Sequence, residues 1–373
     1  MRAWQSAKDI SELINPETTF LYELLIKDLM KWVGVLAILL VLAGCAAPQN
    51  QLKVGAILPM TGSFAFVGAE EQNAISMANN ETGNTLQVIF EDSAGENPKA
   101  IAAFNKLSNV DNAHIVITST SWISNTIYPQ AADAQAFQVI LASSGFKRTR
   151  DDYAVRFTAD VGDEAGFIAN FLKKYDTIAI IHLNNDFGKG WADALSKDLG
   201  DKIVAVETYD PTDTDMSAQL TKIKAKNPDV LFLASSGKDG AFVAKKAKEL
   251  GINAQLVSQR PIETPELLKQ GDAAEGLIYS FPATAADHPF LAKYQKTFGR
   301  VPSIFTIEAY DATIRLTAAT KQCGDDAACL KKAFANSQYE GALGSVAFDA
   351  KGDAHYPFVL KQVKNGKFTV FGE

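Results

Sequence analysis

The chain has 373 residues, 47% hydrophobic and 21% charged, with 36 Lys and Arg against 43 Asp and Glu and a formal net charge of -7. No Lys/Arg block interrupts it, so nothing recruits nucleic acid, and the mildly acidic balance suits a soluble body whose membrane contact is confined to an anchor. The length suits two domains of ordinary size.

The first element in chain order is a leader. Lys31 precedes an apolar run at 32–43, which is shorter than the roughly 20 residues a bilayer-spanning helix needs and so reads as a signal-peptide core. It ends in Leu42-Ala43-Gly44-Cys45, which resembles a bacterial lipobox, where the bond before the cysteine is cut and that cysteine is diacylated. Cys45 is therefore the expected lipidation site. Upstream, Asp9, Glu12, Glu17, Glu23 and Asp28 outnumber Arg2, Lys8 and Lys27, unlike a basic signal n-region, so Met30 reads as the start and residues 1–29 as a mis-assigned beginning. Residues 1–44 are set aside as signal peptide, and 45–51, with Pro48, Gln49 and Asn50, as a polar tether.

From Leu52 onward, short β-branched runs alternate with longer amphipathic stretches, the rhythm of a mostly parallel sheet covered by helices on both faces. Strands are predicted at 53–58, 86–91, 114–118 and 137–141, and a second series at 177–182, 203–207, 230–234 and 255–258. Helices fall between them, such as one capped by Asn97, with Pro98 at its first position and Ile101, Phe104 and Leu107 facing inward. Two series of strands separated by residues 151–166 predict an α/β chain of two similar, doubly wound lobes. A helix at 307–320 and strands at 344–348 and 358–363 complete the pattern. Crossings expected near Thr158, Phe281 and Gly352 assign residues 52–158 with 283–351 to lobe 1 and 159–282 with 352–373 to lobe 2, joined by a three-stranded hinge.

Beyond Cys45 the chain has two cysteines, in Cys323-Gly-Asp-Asp-Ala-Ala-Cys329. In an oxidising, exported setting they are expected to pair, with free thiols as the alternative. A zinc site is disfavoured, because the spacing is wrong and no histidine is near.

Catalytic patterns are absent from the sequence: there is no Gly-x-Ser-x-Gly elbow, no phosphate-binding Gly-x-x-x-x-Gly-Lys-Ser/Thr loop and no His-Glu-x-x-His pair. Gly188-Lys189-Gly190-Trp191-Ala192-Asp193 has aspartate where a dinucleotide fingerprint needs its third glycine. The four histidines, 114, 182, 288 and 355, share no local motif with a cysteine or a carboxylate pair. No enzyme activity, cofactor or metal is expected.

Binding has more support. In open α/β sheets, ligands settle beyond the carboxyl ends of the strands, where helix N-termini present free N–H groups. Those positions here hold small hydroxyl residues: Thr118-Ser119-Thr120-Ser121-Trp122-Ile123-Ser124, Ala142-Ser143-Ser144-Gly145, and Ala234-Ser235-Ser236-Gly237-Lys238-Asp239-Gly240. They could cradle a carboxylate, and Asp239 could accept from an ammonium group. The same residues serve equally well as helix caps.

Several segments together resemble the branched-chain amino-acid-binding family of periplasmic proteins: Val54-Gly-Ala-Ile-Leu-Pro-Met-Thr-Gly62, Gly68-Ala-Glu-Glu-Gln-Asn-Ala74, Asp92, Lys99, Asn185-Asp-Phe-Gly188, Glu275-Gly276, Ala309-Tyr-Asp-Ala312, Tyr339-Glu-Gly-Ala-Leu-Gly-Ser-Val-Ala-Phe348 and Gly352-Asp353. The likeness spans residues 52–367. It implies a type I periplasmic-binding fold whose two lobes close on a ligand and deliver it to an ATP-binding-cassette (ABC) transporter. It also implies that Ser121 with Ser143, Ser144 and Gly145 takes the ligand carboxylate and Asp239 the ammonium. Phe187 stands where the family has tyrosine, and Trp122 adds bulk beside the carboxylate. Gly145 and Val67 replace a hydroxyl and an aromatic residue, with Ser144 and Phe66 as neighbouring substitutes.

The implied partners are an amino acid-like small molecule, an ABC permease and a membrane reached through the N-terminal lipid, with the protein extracytoplasmic and a monomer. The alternative is a sensing or regulatory lipoprotein of the same fold.

Overall fold

The computed structural model describes residues 29, 30, 51–150 and 152–372. The expected signal core, the lipobox with Cys45 and the tether up to Asn50 lie outside them. Strands β1 (Leu52–Leu58), β2 (Leu86–Asp92), β3 (Ile115–Ser119), β4 (Phe137–Leu141) and β5 (Ala154–Arg156) form a wholly parallel sheet in the order β2-β1-β3-β4-β5. Helices α1 (Ala65–Glu81), α2 (Asn97–Asn109) and α3 (Ser121–Asp133) connect them.

Alternation along each strand decides which core a side chain enters. In β1, Val54, Ala56 and Leu58 join one cluster, with Ala74 and Ile75 of α1. Ile57 points the other way, onto Phe104 and Leu107 of α2 and Ile123 and Ile127 of α3. Both faces are buried, so the strands read as continuous apolar runs.

The second sheet repeats the scheme with β6 (Ile178–Leu183), β7 (Ile203–Tyr209), β8 (Val230–Ala234), β9 (Gln255–Ser258) and β10 (Ile278–Pro282). Its helices are α4 (Val161–Leu172), α5 (Asp186–Leu199), α6 (Ser217–Lys224), α7 (Gly237–Glu249) and the single turn α8 (Pro265–Leu268). Ile178, Ile180 and Phe232 pack with Trp191 and Leu195 of α5, whereas Ile181 and Leu233 face the cluster containing Leu220 and Val243.

The rest of the chain covers the first sheet and extends the second. Helices α9 (Pro289–Phe298), α10 (Ile304–Cys323) and α11 (Ala327–Phe334) come first. Helix α10 packs on α1, and Phe334 of α11 lies 5.8 Å from both Phe137 and Phe157. Strands β11 (Gln338–Gly341), β12 (Gly344–Phe348) and β13 (Ala354–His355) make a small antiparallel sheet. Its turn is pinned by the buried Asp311 of α10, which accepts from Ala342 N (3.0 Å) and Leu343 N (2.8 Å). Strands β14 (Phe358–Lys364) and β15 (Lys367–Val370) then extend the second sheet to β15-β14-β10-β9-β8-β6-β7. Their two-residue turn is Asn365-Gly366, both with positive φ (53° and 67°), the conformation such hairpins require.

Three segments pass side by side between the sheets. Arg156 N donates to Gly352 O (2.9 Å), Ala159 N to the Tyr356 hydroxyl (2.9 Å) and Ala283 N to Pro357 O (2.9 Å). Cys323 and Cys329 are disulfide-bonded, joining α10 to α11 across a loop whose Asp326 caps α11 by accepting from Cys329 N (2.7 Å).

Differences from the sequence reading are local. Asn97 lies inside α2, after an extended Glu96. Helix α10 starts three residues earlier than predicted, because Ser303 caps it. Strand β10 occupies the stretch read only as a crossing, and β5, β11, β13, β15, α9 and α11 were not anticipated. Among the described residues no helix is long and apolar enough to cross a membrane, and no group of three or more His, Cys, Asp or Glu side chains could hold a metal ion.

Candidate ligand-binding site

The carboxyl ends of strands from both sheets open onto one interlobe cavity. It is a tight site: about 40 Å³ is free within it, well under the roughly 300–1,000 Å³ of sites for drug-sized ligands, so it suits a small one. The first lobe contributes Thr120 after β3, Ala142 and Ser144 after β4, and Thr158 after β5; the second contributes Leu183, Ser236 after β8 and Arg260 after β9. Four aromatic side chains, Phe64, Trp122, Phe187 and Phe305, form much of the wall. Phe64 and Trp122 rings lie 4.8 Å apart, and the indole N–H is spent on Gly95 O (2.9 Å).

Two of the wall residues sit in unfavourable backbone. Thr120 has φ 70° and Ala142 φ 45°; for a β-branched residue that region costs on the order of 1–3 kcal/mol, and such strain concentrates at functional sites. The Thr120 hydroxyl is buried and has no hydrogen-bond partner.

The charged part of the cavity is a chain of buried groups. Arg260 (4% exposed) pairs through Nη1 with Glu164 of α4 (0%), and its Nε lies 3.6 Å from Oε1 of Glu308 of α10 (1%). Glu308 also accepts from the Thr158 hydroxyl (2.6 Å), Ala142 N (3.3 Å) and the Tyr356 hydroxyl (3.2 Å), while Ser280 of β10 donates to Glu164 (2.6 Å). Thr158, Ser280 and Tyr356 lie on or beside the three interlobe segments, so one polar network joins cavity and crossings.

Burial raises the Glu164 carboxyl above its ordinary value, with Arg260 pulling the other way. Burial alone would lower the Arg260 guanidinium, but Glu164, then Tyr356 and Glu308, raise it, so it stays charged. Next to this network, Glu71 of α1 is pushed well up by burial, although the Ser119 hydroxyl donates to it (2.8 Å); its Oε2 has no partner.

The residues singled out from sequence fall around this cavity in different ways. Trp122, Ser144 and Phe187 line it. Ser121 is buried behind the wall, its hydroxyl accepting from Gly145 N (3.0 Å), and the Ser143 hydroxyl is buried without a partner. Gly145 sits where the lobes touch: a Cβ there would come within 2.6 Å of Asp186 O. Asp239 is half-buried in the first turn of α7, where it accepts from Ser236 N (3.2 Å), the Ser236 hydroxyl and the Tyr209 hydroxyl (2.8 Å), and it is not among the cavity-lining residues. Burial raises its carboxyl, against the pull of those hydrogen bonds. Val67 lines the cavity, while Phe66 packs edge-on against Phe305 (6.0 Å) and leaves the wall to Phe64.

Sequence reasoning passed over Arg260, Glu308 and Phe305. Arg260 follows β9 as Ser143 follows β4, so a scan of every strand exit would have reached it. Glu308 shows only as an acid within the apolar face of α10.

Residues 51–367 match the sequence profile of the family described as periplasmic binding protein. The chain belongs to that family. A relative, the leucine-, isoleucine-, valine-, threonine- and alanine-binding protein of Pseudomonas aeruginosa, is 24% identical over 358 residues, covering 88% of this chain and 91% of the relative. Among solved structures, an extracellular ligand binding receptor from Desulfohalobium retbaense superposes with a TM-score of 0.84 at 34% identity; the match covers 86% of this chain and 60% of that one, so this chain spans 60% of its length. A branched-chain amino acid transporter substrate binding protein of Streptococcus pneumoniae, solved with isoleucine, superposes with a TM-score of 0.76 at 21% identity over 86% and 98% of the two chains.

This periplasmic binding protein therefore has the type I fold, and its motifs' likeness to the branched-chain amino-acid binders holds over nearly the whole matched region. Members of the family bind solutes rather than transform them.

Proposed function

We propose that this protein captures an amino acid or a related small molecule outside the cytoplasm and delivers it to an ABC transporter, as a monomer held at the membrane by a lipid on Cys45. The observation that carries the reading is the cavity itself, walled by strand ends from two lobes that the chain connects by three adjacent segments. Residues 52–158 with 283–351 and residues 159–282 with 352–373 would move as the two jaws about those segments.

In this reading Ser144, with Ser121, Ser143 and Gly145 behind it, faces one end of the ligand, while Trp122 and Phe187 flank its body. Asp239 would meet an ammonium group only by giving up part of its cap on α7. The named cargo of the Pseudomonas relative and the isoleucine in the Streptococcus structure support an amino acid-like ligand.

A thermal-shift panel of amino acids, amides, urea and small carboxylates tests capture. Ligand at about 1,000 times its dissociation constant stabilises the folded form by roughly 4 kcal/mol, a clear rise in melting temperature. A panel with no stabilising solute would remove the reading. Anchoring is tested separately: labelled fatty acid should enter the wild-type chain and not Cys45→Ala.

A further inference from the structure

We infer that the ligand is a monocarboxylate with an apolar body about the size of a phenyl or isobutyl group and no α-ammonium, and that Arg260 holds its carboxylate. The inference rests on the capture reading and narrows it.

Arg260 is the starting point. A guanidinium carries five N–H donors. Here Nη1 meets Glu164, and Nε faces Glu308 at 3.6 Å, beyond hydrogen-bond range. Among the described residues, none accepts from Nη2, although the side chain is 4% exposed and lines the cavity. That nitrogen is open to the cavity, and a planar carboxylate is the acceptor that suits a guanidinium in a mostly apolar enclosure best. Across the cavity, the partnerless Thr120 hydroxyl adds a second unspent donor, from the other lobe.

Acceptors are the complementary shortage. An ionised carboxylate has about four lone-pair sites. Glu308, the one acid on the cavity wall among the described residues, gives sites to Thr158, Ala142 N and Tyr356 and turns its remaining side towards Arg260. Asp239 is committed to Ser236 and Tyr209 and lies off the wall. The remaining site on Glu308 lies against the Arg260 guanidinium, which would repel an incoming ammonium, and Asp239 lies off the wall, whereas an incoming carboxylate completes a bond at Arg260. Apart from the Ser144 and Ser236 hydroxyls, the rest of the enclosure is apolar, chiefly Phe64, Val67, Trp122, Phe187, Pro261 and Phe305, with the indole N–H of Trp122 already used. That surface rewards an apolar body and offers little for polar substituents on it.

The test uses the full chain and two matched sets in titration calorimetry: 3-phenylpropionate, L-phenylalanine and 3-phenylpropionamide; and 4-methylpentanoate, L-leucine and 4-methylpentanamide. In at least one set the acid should bind about tenfold or more tighter than the amino acid, and about thirtyfold or more tighter than the amide, since the amide cannot pair with a guanidinium as an ion. Equal or tighter binding of the amino acid overturns the inference, as does an amide that matches its acid.

Arg260→Met should erase the preference of acid over amide, and Arg260→Lys should keep part of it. Should Arg260→Met fail to fold, the wild-type acid-to-amide ratio still decides. If neither set binds while another class of solute raises the melting temperature, this inference falls and solute capture stands. If no solute of any class does so, capture falls with it.

Discussion

Asn125 of α3 donates from Nδ2 to the carboxylate of Asp186 at the start of α5, 3.0 Å away, and so bridges the two lobes at the cavity's edge. The same amide nitrogen donates to Gly145 O (3.2 Å), which ties the bridge to the loop after β4. A bond that exists only with the lobes together favours the closed form. Asp186→Ala should therefore weaken ligand binding by about tenfold, the worth of roughly 1.4 kcal/mol for a hydrogen bond to a charged group. Stability without ligand should change little. Titration calorimetry beside a denaturant melt separates the two effects.

Gly145→Ala is the steric counterpart. The added Cβ would meet Asp186 O at 2.6 Å and Ser121 Oγ at 3.2 Å, so the lobes must part for the methyl group to fit. The variant should fold, bind ligand at least about tenfold more weakly, and scatter X-rays as a larger particle in saturating ligand than the wild type does. An unchanged radius of gyration would refute this account of Gly145.

The pH dependence of Glu71 has a definite sign. Burial raises its carboxyl well above the ordinary 4.5, so the folded chain holds that proton more tightly than the unfolded one. Between the two pKa values the folded form binds more protons, and stability falls as pH rises through that window. Glu71→Gln removes this loss, and Gln can still accept from Ser119. The variant should match the wild type near pH 4 and become progressively more stable than it towards pH 8, by on the order of 1 kcal/mol for each unit the pKa is raised. Denaturant melts across that range check it; an offset independent of pH would refute it.

The Cys323–Cys329 disulfide closes a short loop remote from the cavity wall. Replacing both cysteines with alanine should cost about 2 kcal/mol on the chain-entropy view and leave ligand affinity unchanged. Phe334, fully buried between Phe137 and Phe157, is a stricter anchor for the same helix. Phe334→Ala should cost about 3–5 kcal/mol in a denaturant melt.

Most of the fold was legible because strands buried on both faces leave an unmistakable apolar run. β4 at Phe137–Leu141 and β8 at Val230–Ala234, buried throughout, match their predicted limits to the residue, as does the half-buried β9 at Gln255–Ser258. Half-exposed strands leave weaker marks: β11 is Gln338–Gly341 and β15 is Lys367–Val370, and neither has an apolar run. Asn365-Gly366 was nevertheless a readable hairpin signal.

The site was legible as a set of strand exits, which is a property of local order. Arg260, Glu164 and Glu308 were not legible as a group, because their meeting depends on two lobes and three crossings. Asp239 shows the opposite difficulty, since one carboxylate in a first helical turn fits both a cap and a ligand contact until its neighbours are known.

Neither half of this molecule is a continuous length of chain. The apolar face of β1, β3 and β4 waits for α10, and the far side of β10 waits for β14. A polypeptide emerging from its N-terminus thus carries one uncovered sheet and one unfinished sheet until residues beyond 303 arrive. Contacts so distant in sequence form slowly, so the nascent chain stays unlocked for longer than two consecutive domains would. A nonsense mutation late in the gene would spoil both halves at once.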